Sequence, residues 1–391
     1  MHTVLVLSFS DLGRDPRVNR QIRFLRERYR VIAAGYAHPK VEDVEFVPIR
    51  PAGKGVAGRL VSAMQLLTGR FESYYWRQHR VRDAAERLSD VRADVVVAND
   101  IDTLPLALRV AGGAPVVFDA HEYAPREFED RISFRIFLQR YYTYLCQAYI
   151  PRTAGMMTVC ESIAEAYEQD TGVRPVVVLN APDYEPLEPA AREPGDPKIR
   201  LVHHGGAIPE RKLDLMIRMM DHLDERFALD LLLVDAGAAG EIARLKHLAR
   251  GDDRIRFLDP VPMRELPRFL NAYDLGVFLL PPTNFNYRYA LPNKLFEFIQ
   301  ARLAVAVGPS PEMARVVRDV GCGVVSRDFS PEAMAEALRT LDPERIMEYK
   351  WRAHEAAARL NAGQSRAAVL ELVDRALHRR LDHGARARSS R

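Results

Sequence analysis

Residues 199–217 read IRLVHHGGAIPERKLDLMI. A short apolar run ends on two glycines and a proline, after which basic and apolar residues take up helical spacing. That order is strand, tight turn, helix, the unit from which a parallel sheet with crossover connections is built. The segment just before it, APDYEPLEPAAREPGDPK from Ala181 to Lys198, is rich in proline and acid, has no apolar period and reads as an interdomain linker. Upstream of it, β-branched runs begin at Thr3, Tyr29, Glu45, Asp94, Pro115, Met156 and Pro175, separated by stretches of helical periodicity. Downstream, the same alternation restarts at Ile199 and continues through runs at Leu229, Arg254, Asp274, Ala304 and Gly323.

Two doubly wound, Rossmann-like α/β domains in tandem follow from this pattern. The expected division is a first domain over 1–185, a linker over 186–198, a second domain over 199–343 and helices over 344–391 that cross back to the first domain. The carboxyl ends of the two sheets are expected to face each other across a cleft that closes about the linker. The terminal HGARARSSR is expected to fray.

Composition narrows the class. A chain of 391 residues with 48% apolar content has ample material for two cores. It contains no uninterrupted apolar run near the ~20 residues a membrane span needs, and it begins without the basic and apolar regions of a signal peptide, so a cytoplasmic protein is expected. Cys146, Cys160 and Cys322 are too scattered for a zinc site or a disulfide framework and read as packing residues. A net charge of +3 does not call for nucleic acid as a partner.

The richest motif is YRYALPNKLFEFIQARLAVAVG, Tyr287 to Gly308. Pro292 suits a helix start, where Asn293 and Lys294 offer unpaired backbone N–H groups and Glu297 sits one turn on. Such a start holds an anion: the amides and the helix dipole favour phosphate, Lys294 adds a charge, and Glu297 can accept hydrogen bonds from a ribose. The competing reading is a plain amphipathic helix with Lys294 and Glu297 at the surface.

PNKLFEFIQARLAV resembles the donor-site signature of the retaining glycosyltransferases of the large family that includes sucrose synthase and bacterial mannosyl- and exopolysaccharide enzymes, which have the GT-B fold. The resemblance implies that Glu297 is the second glutamate of a pair spaced eight positions apart, the one that binds the donor ribose. It places Asn293, Lys294 and Leu295 among the residues at the diphosphate. The first glutamate of the pair is replaced by Tyr289.

The loop after the strand at Ile199 adds Gly205 and Gly206, then Arg211 and Lys212. In the family an arginine follows the glycine and a lysine comes several residues later. Lys212 matches the lysine, Ala207 stands in the arginine's place, and Arg211 is its neighbouring substitute. The alternative is a βα turn with solvated basic residues.

In the first half, SFSDLGRDPRVNRQIRFL from Ser8 places Gly13 in a turn where backbone can approach substrate, with Arg14 or Arg17 as a cation. The alternative there is a solvated turn with Asp15 as helix N-cap. FDAHEY puts His121 just past a strand end, where the family places a histidine that touches the transferred sugar, and His121 is the candidate catalytic residue. Asn99, Asp100 and Asp102 are candidate acceptor contacts.

The resemblance thus implies a metal-independent, cofactor-free hexosyltransferase that moves a sugar, with retention, from a uridine or guanosine diphosphate donor whose base sits near LDPVPM at Leu258. The acceptor is a glycan, a lipid-linked sugar or a natural product. The alternatives are a nucleotide-sugar epimerase or phosphorylase on the same fold, or a catalytically silent binding partner. The arginines and aromatics between Lys54 and Arg92 are compatible with peripheral contact on an anionic membrane as well as with a solvated helix. FRIFLQRYYTYLCQAYI from Phe134 admits the same readings, with a contribution to the core favoured.

Overall fold

The computed structural model describes residues 1–51, 57–192 and 195–389, with side-chain surroundings described for all of these except 57–59 and 379–389. Every strand candidate named above is a strand. The first seven are β1 (Thr3–Ser8), β2 (Arg30–Gly35), β3 (Glu45–Pro48), β4 (Val95–Asn99), β5 (Val116–Ala120), β6 (Gly155–Thr158) and β7 (Val176–Val177). They form one parallel sheet in the order β3-β2-β1-β4-β5-β6-β7. The second sheet holds β8 (Ile199–Ala207), β9 (Phe227–Asp235), β10 (Ile255–Leu258), β11 (Leu275–Phe278), β12 (Ala304–Val307) and β13 (Gly323–Val325), in the order β10-β9-β8-β11-β12-β13. β4 and β12 are buried along their whole length, as the near-continuous Val/Ala runs of strands covered on both faces require.

Strand order reverses between β1 and β4 in one sheet and between β8 and β11 in the other. At such a reversal the crossover helices leave to opposite faces, and a crevice opens outside the carboxyl ends. In the second sheet this is visible in the ladders: β8 pairs with β9 through Ala207, but its pairing with β11 stops at Val202 opposite Gly276. Gly276 lets the helix Asn293–Gln300 lie close on β11, because a Cβ there would stand 2.2 Å from Phe298 Cγ.

The chain divides into two compact units, Met1–Leu179 with Ser365–Arg391, and Asn180–Gln364. The division differs from the expected one in two places. The Pro-rich stretch, of which 193–194 lie outside the described residues, is packed onto the second unit. Glu185 N–H donates to Gln300 Oε1 and Ala362 N–H to Pro182 O. The helix Pro343–Ala357 also packs on β12 and on Asn293–Gln300 within the second unit. Only Ser365 onward joins the first unit, where Asp374 meets Arg28 and Tyr29. The last helix, Ala362–Ser389, runs through most of the tail that composition expects to fray. Among the described residues no helix is long and apolar enough to cross a membrane.

Arg302 explains why the stretch lies down. Its side chain is fully buried and donates to the carbonyls of Leu187 at 3.0 Å, Glu185, Ile299 and Gln300, and to His354 Nδ1. A buried guanidinium needs its donors satisfied, and here backbone carbonyls of the stretch and of the helix end do so. Replacing Arg302 by Met leaves those acceptors in a space closed to water. The expected loss is on the order of 3 kcal/mol in the unfolding free energy of the second unit, measured in urea by Trp351 fluorescence.

Candidate functional site

At the second sheet's reversal point the polar groups converge. Past Val202 the ladder between β8 and β11 lapses, and a side chain takes its place: His203 Nδ1 stands 2.9 Å from Val277 O. A carbonyl can only accept, so Nδ1 carries the proton and Nε2 is left as an acceptor. Lys294 Nζ donates to it from 2.9 Å and lies 3.9 Å from the centre of the Phe278 ring. On the next strand position His204 Nε2 is 3.3 Å from Glu297 Oε2, and its ring packs edge-on against Phe298.

Lys294 and Glu297 are both buried, which decides against the plain amphipathic reading in which they face water. Burial, with Arg211 adding to it and Glu297 opposing, pushes the Lys294 amine well below its ordinary pKa. Burial and the nearby Lys294 likewise push His203 far down and His204 to about 3. One carboxylate thus stands among a lysine, an arginine and two neutral imidazoles.

Gly205 is required where it stands. Its φ is +122°, and a Cβ would meet Lys294 Nζ at 3.4 Å and Arg211 Nη1 at 3.9 Å. Gly206 accepts from Arg211 Nη1 through its carbonyl at 3.4 Å. Arg211 therefore reaches the glycine turn, as its reading as a substitute for the missing arginine at Ala207 requires. Lys212 is exposed and left-handed, at φ +52°, between the 3-10 turn Pro209–Arg211 and the helix that starts at Asp214. It does not open that helix as expected. Pro292 is the N-cap of the helix Asn293–Gln300 rather than its first residue. Asn293 and Lys294 are the first-turn residues whose N–H groups have no intrahelical acceptor. Leu295 is core, and its N–H is spent on Pro292 O at 3.2 Å. Tyr289 ends the short helix Phe285–Arg288 with its ring tilted against Phe285.

In the first unit, a chain of hydrogen bonds runs beneath the ends of β4 and β5. Arg17 grips Asp119 with Nε at 2.9 Å and Nη2 at 2.5 Å, and gives Nη1 to Val178 O. Against the burial that would raise it, Arg17 holds Asp119 at about 2. Gln21 Nε2 donates to Asp119 and Asn99 Nδ2 donates to Gln21 Oε1, both at 2.9 Å. Asn99 Oδ1 therefore faces His121 Nε2, 3.1 Å away, and fixes that nitrogen as a donor. His121 Nδ1 lies 3.5 Å from Asp100 Oδ2.

This network corrects two expectations. Arg17 is not an open cation: it is buried and committed to Asp119, so it positions His121 at one remove. Gly13 offers no free amide, because its N–H is taken by Asp11 Oδ1 at 3.0 Å, and Asp15 caps the following helix through Val18 N–H.

His121 opens instead on a cavity of about 250 Å³ lined by Asp100, Asp102, Glu122, Glu127, Tyr142 and Tyr167 among others. Burial and the carboxylates of Glu122, Asp100 and Asp102 push Glu127 well above the carboxylate range, so it holds its proton at neutral pH. Two expected acceptor contacts, Asp100 and Asp102, line this cavity, whereas Asn99 is fully buried behind it. Sequence reasoning missed Glu127, for which no signal exists, and His203, for which one did: two histidines at the end of an otherwise apolar strand.

A larger concavity of about 560 Å³ in the second unit, lined by Asp221, Glu225 and 250–255, lies at the amino ends of β9 and β10. That is the opposite edge of the sheet from Lys294, and of its three arginines Arg254 is paired with Asp252 at 2.7 Å and Arg218 with Asp214 at 3.7 Å.

The paired crevices at strand-order reversals are those of the GT-B glycosyltransferases. HepE of Anabaena, solved in complex with UDP-glucose, superposes with a TM-score of 0.69 at 13% identity, over 96% of this chain and 100% of that one. Sucrose-phosphate synthase of Thermosynechococcus elongatus matches at 0.71 and 12% identity, over 96% and 98%. WaaG, a glycosyltransferase involved in lipopolysaccharide biosynthesis, matches at 0.64 and 16%, over 94% and 98%. No relative among curated proteins matches the chain by sequence. The chain therefore has the GT-B fold of the glycosyltransferases. The model of the family described as glycosyl transferases group 1 matches residues 198–342, within the second unit.

His121 has a pH consequence. Burial lowers its pKa, but Asp100 and Asp119 outweigh it and raise the group to about 9 from 6.5. A raised folded pKa contributes stability that is fully present below pH ~6.5 and is lost as pH rises through ~9. His121→Gln is expected to cost the first unit roughly 2–3 kcal/mol at pH 6 and much less at pH 9.5. Urea unfolding followed by Trp76 in a Trp351→Phe background measures it.

Proposed function

We propose that the chain is a glycosyltransferase that binds a uridine or guanosine diphosphate sugar through its second unit and transfers the sugar, with retention, to a hydroxyl of a glycan, lipid-linked or natural-product acceptor. The observation that carries this reading is the cluster of buried Lys294, His203 and Glu297 with half-buried Arg211 beside the turn at Gly205, inside the domain that matches the group 1 family. HepE, which has the same fold, was solved with UDP-glucose and with UDP.

In this reading the donor diphosphate meets Lys294, Arg211, Lys212 and the first-turn amides of Asn293 and Lys294, while Glu297 accepts from the ribose hydroxyls. The acceptor oxygen bonds to the anomeric carbon on the face from which the diphosphate departs, the anomeric C–O bond breaks, and the hydroxyl proton passes to the leaving diphosphate. Preorganised cations stabilise the charge that grows on that leaving group. His121, with Nε2–H fixed inward, is assigned to the transfer step. A catalytically silent binding protein is the second reading, and Tyr289 in the place of an acidic residue is what favours it.

Isothermal titration with a panel of nucleoside diphosphate sugars tests the donor site. Glu297→Gln is expected to weaken the preferred donor by ~1–3 kcal/mol with little change in unfolding midpoint. Unchanged affinity removes Glu297 from the site. A binder that releases no nucleoside diphosphate with any acceptor tried is the silent protein.

The buried bases make a further demand. A dianion arriving beside an amine held below its ordinary pKa raises that pKa, so binding takes up protons. UDP affinity is expected to fall as pH rises from 7 to 9, and the heat of binding is expected to vary with the ionisation enthalpy of the buffer. Lys294→Met should abolish both effects.

A further inference from the structure

Apart from Met1, the exposed large apolar side chains described in the first unit lie on the helix Ala57–Leu67 and on the stretch from Phe128 to Ile136. In the helix Ala57–Leu67, Leu60 is 80% exposed, Met64 67% and Leu67 54%, and Val61 is also exposed. Leu60, Met64 and Leu67 recur every three to four residues, the stripe by which a helix packs on a core, yet this stripe faces water while Leu66 on the other side is buried. The helix packs directly against Phe134–Leu138. That segment and the turn before it present Ile132 at 65% exposure and Ile136 at 51%. Adjoining apolar side chains on this scale mark a surface that something covers.

Charge identifies what covers it. Arg70, Arg135 and Arg140 are exposed on the same two segments or at their ends, and among the described residues no carboxylate pairs with any of them. Of the four arginines on the helices that follow, three are spent internally, Arg77 on Ser62 Oγ, Arg80 on Asp102 and Arg87 on Asp83, while Arg82 is exposed. The nearby aromatics are likewise committed, Tyr75 buried and Tyr74 edge-on to buried Tyr141. The stretch between Lys54 and Arg92 is therefore not a membrane face along its whole length, and its Lys54 and the Arg59 side chain lie outside the described residues. FRIFLQRYYTYLCQAYI is core only in part, since Phe134, Tyr141 and Leu145 are buried but Ile136 is not. A second copy of the chain docking on the same patch would set like-charged arginines against each other. An apolar centre with unpaired guanidiniums around it instead matches a bilayer with anionic headgroups, where the side chains enter the acyl boundary and the arginines meet phosphates.

We propose that the surface formed by Leu60, Met64, Leu67, Ile132 and Ile136, with Arg70, Arg135 and Arg140, docks this protein on an anionic lipid bilayer. It stands apart from the sugar-transfer reading, which can fail while the docking holds, and if both hold it favours an acceptor presented by a membrane.

The test is co-sedimentation of the full chain with vesicles of phosphatidylcholine alone and of phosphatidylcholine with phosphatidylglycerol. Binding is expected only to the anionic vesicles, weakening steeply as salt is raised. Met64→Glu combined with Ile136→Glu should reduce it at least tenfold. Arg135→Gln and Arg140→Gln should each reduce it about fivefold, the effect of the ~1 kcal/mol a basic side chain contributes near an anionic surface. All these side chains are exposed, so circular dichroism and nucleotide-sugar binding should match wild type in every variant. The proposal is overturned if wild type ignores anionic vesicles at low salt, if the glutamate pair binds as well as wild type, or if sedimentation velocity finds a dimer that Met64→Glu breaks.

Discussion

Lys294 places an amine inside the second unit, where a charged ammonium loses its water, and the residues around it follow from that cost. The amine needs an acceptor, and His203 Nε2 is one only because Val277 O holds the other ring nitrogen protonated. Val277 O is free to do so because the parallel ladder between β8 and β11 has already let go. The strand-order reversal of the sheet thus fixes the tautomer of a histidine, and the histidine aims the lysine. Gly205 turns beside it at a φ of +122°, a conformation that residues with a side chain rarely adopt. What results is a recess that gathers an arginine, two imidazoles and an amine held below its ordinary pKa, and in the proposed reading these are the groups that meet a multiply charged anion.

The first unit solves the same problem with the opposite sign. Asp119 is buried at the end of β5, and Arg17 keeps it ionised through a two-pronged contact. Its remaining lone-pair capacity organises Gln21, then Asn99, and through them His121, so that one ion pair orients an imidazole that it does not itself bond at close range. Such a chain leaves no amide flip undetermined, because each oxygen and nitrogen has a fixed neighbour. His121 consequently meets its cavity as a histidine that favours the protonated form, suited to stabilising negative charge or giving a hydrogen bond rather than to removing a proton.

Much of this was legible in the sequence, and the parts that were not share a cause. Strands were readable because two-sided burial demands continuous apolar runs, and β4 and β12 are such runs. That Glu297, Lys294 and His121 stand at strand and helix ends was readable because the alternation of apolar runs and turn residues marks those ends. Arg17 and Gly13 were misread because a basic residue or a glycine near a strand end looks the same whether it faces a ligand or a buried carboxylate 102 positions away. The boundary at 185 failed for a related reason. Proline and acid predict a lack of regular structure, which holds, but Arg302, over a hundred residues later, decides whether irregular chain is loose or tied down.

The departures at Ala207 and Tyr289 can be weighed in the same terms. A small residue at 207 removes a cation from the turn, but Arg211 reaches the Gly206 carbonyl from the far end of a 3-10 turn, and Lys212 follows in a left-handed conformation that a non-glycine residue adopts at some cost. Strain of that kind persists where the surroundings impose it, and here it bends the chain immediately after Arg211. The cation is thus relocated rather than lost. Tyr289 is different, because a phenol against Phe285 supplies one hydroxyl where a carboxylate would offer two acceptors and a charge. In the proposed reading the groups available for a diphosphate and a ribose are therefore nearly complete, while those for the sugar's own hydroxyls are reduced. A site of that make-up separates recognition of the nucleotide from recognition of the sugar, and it concentrates any unusual specificity on the sugar.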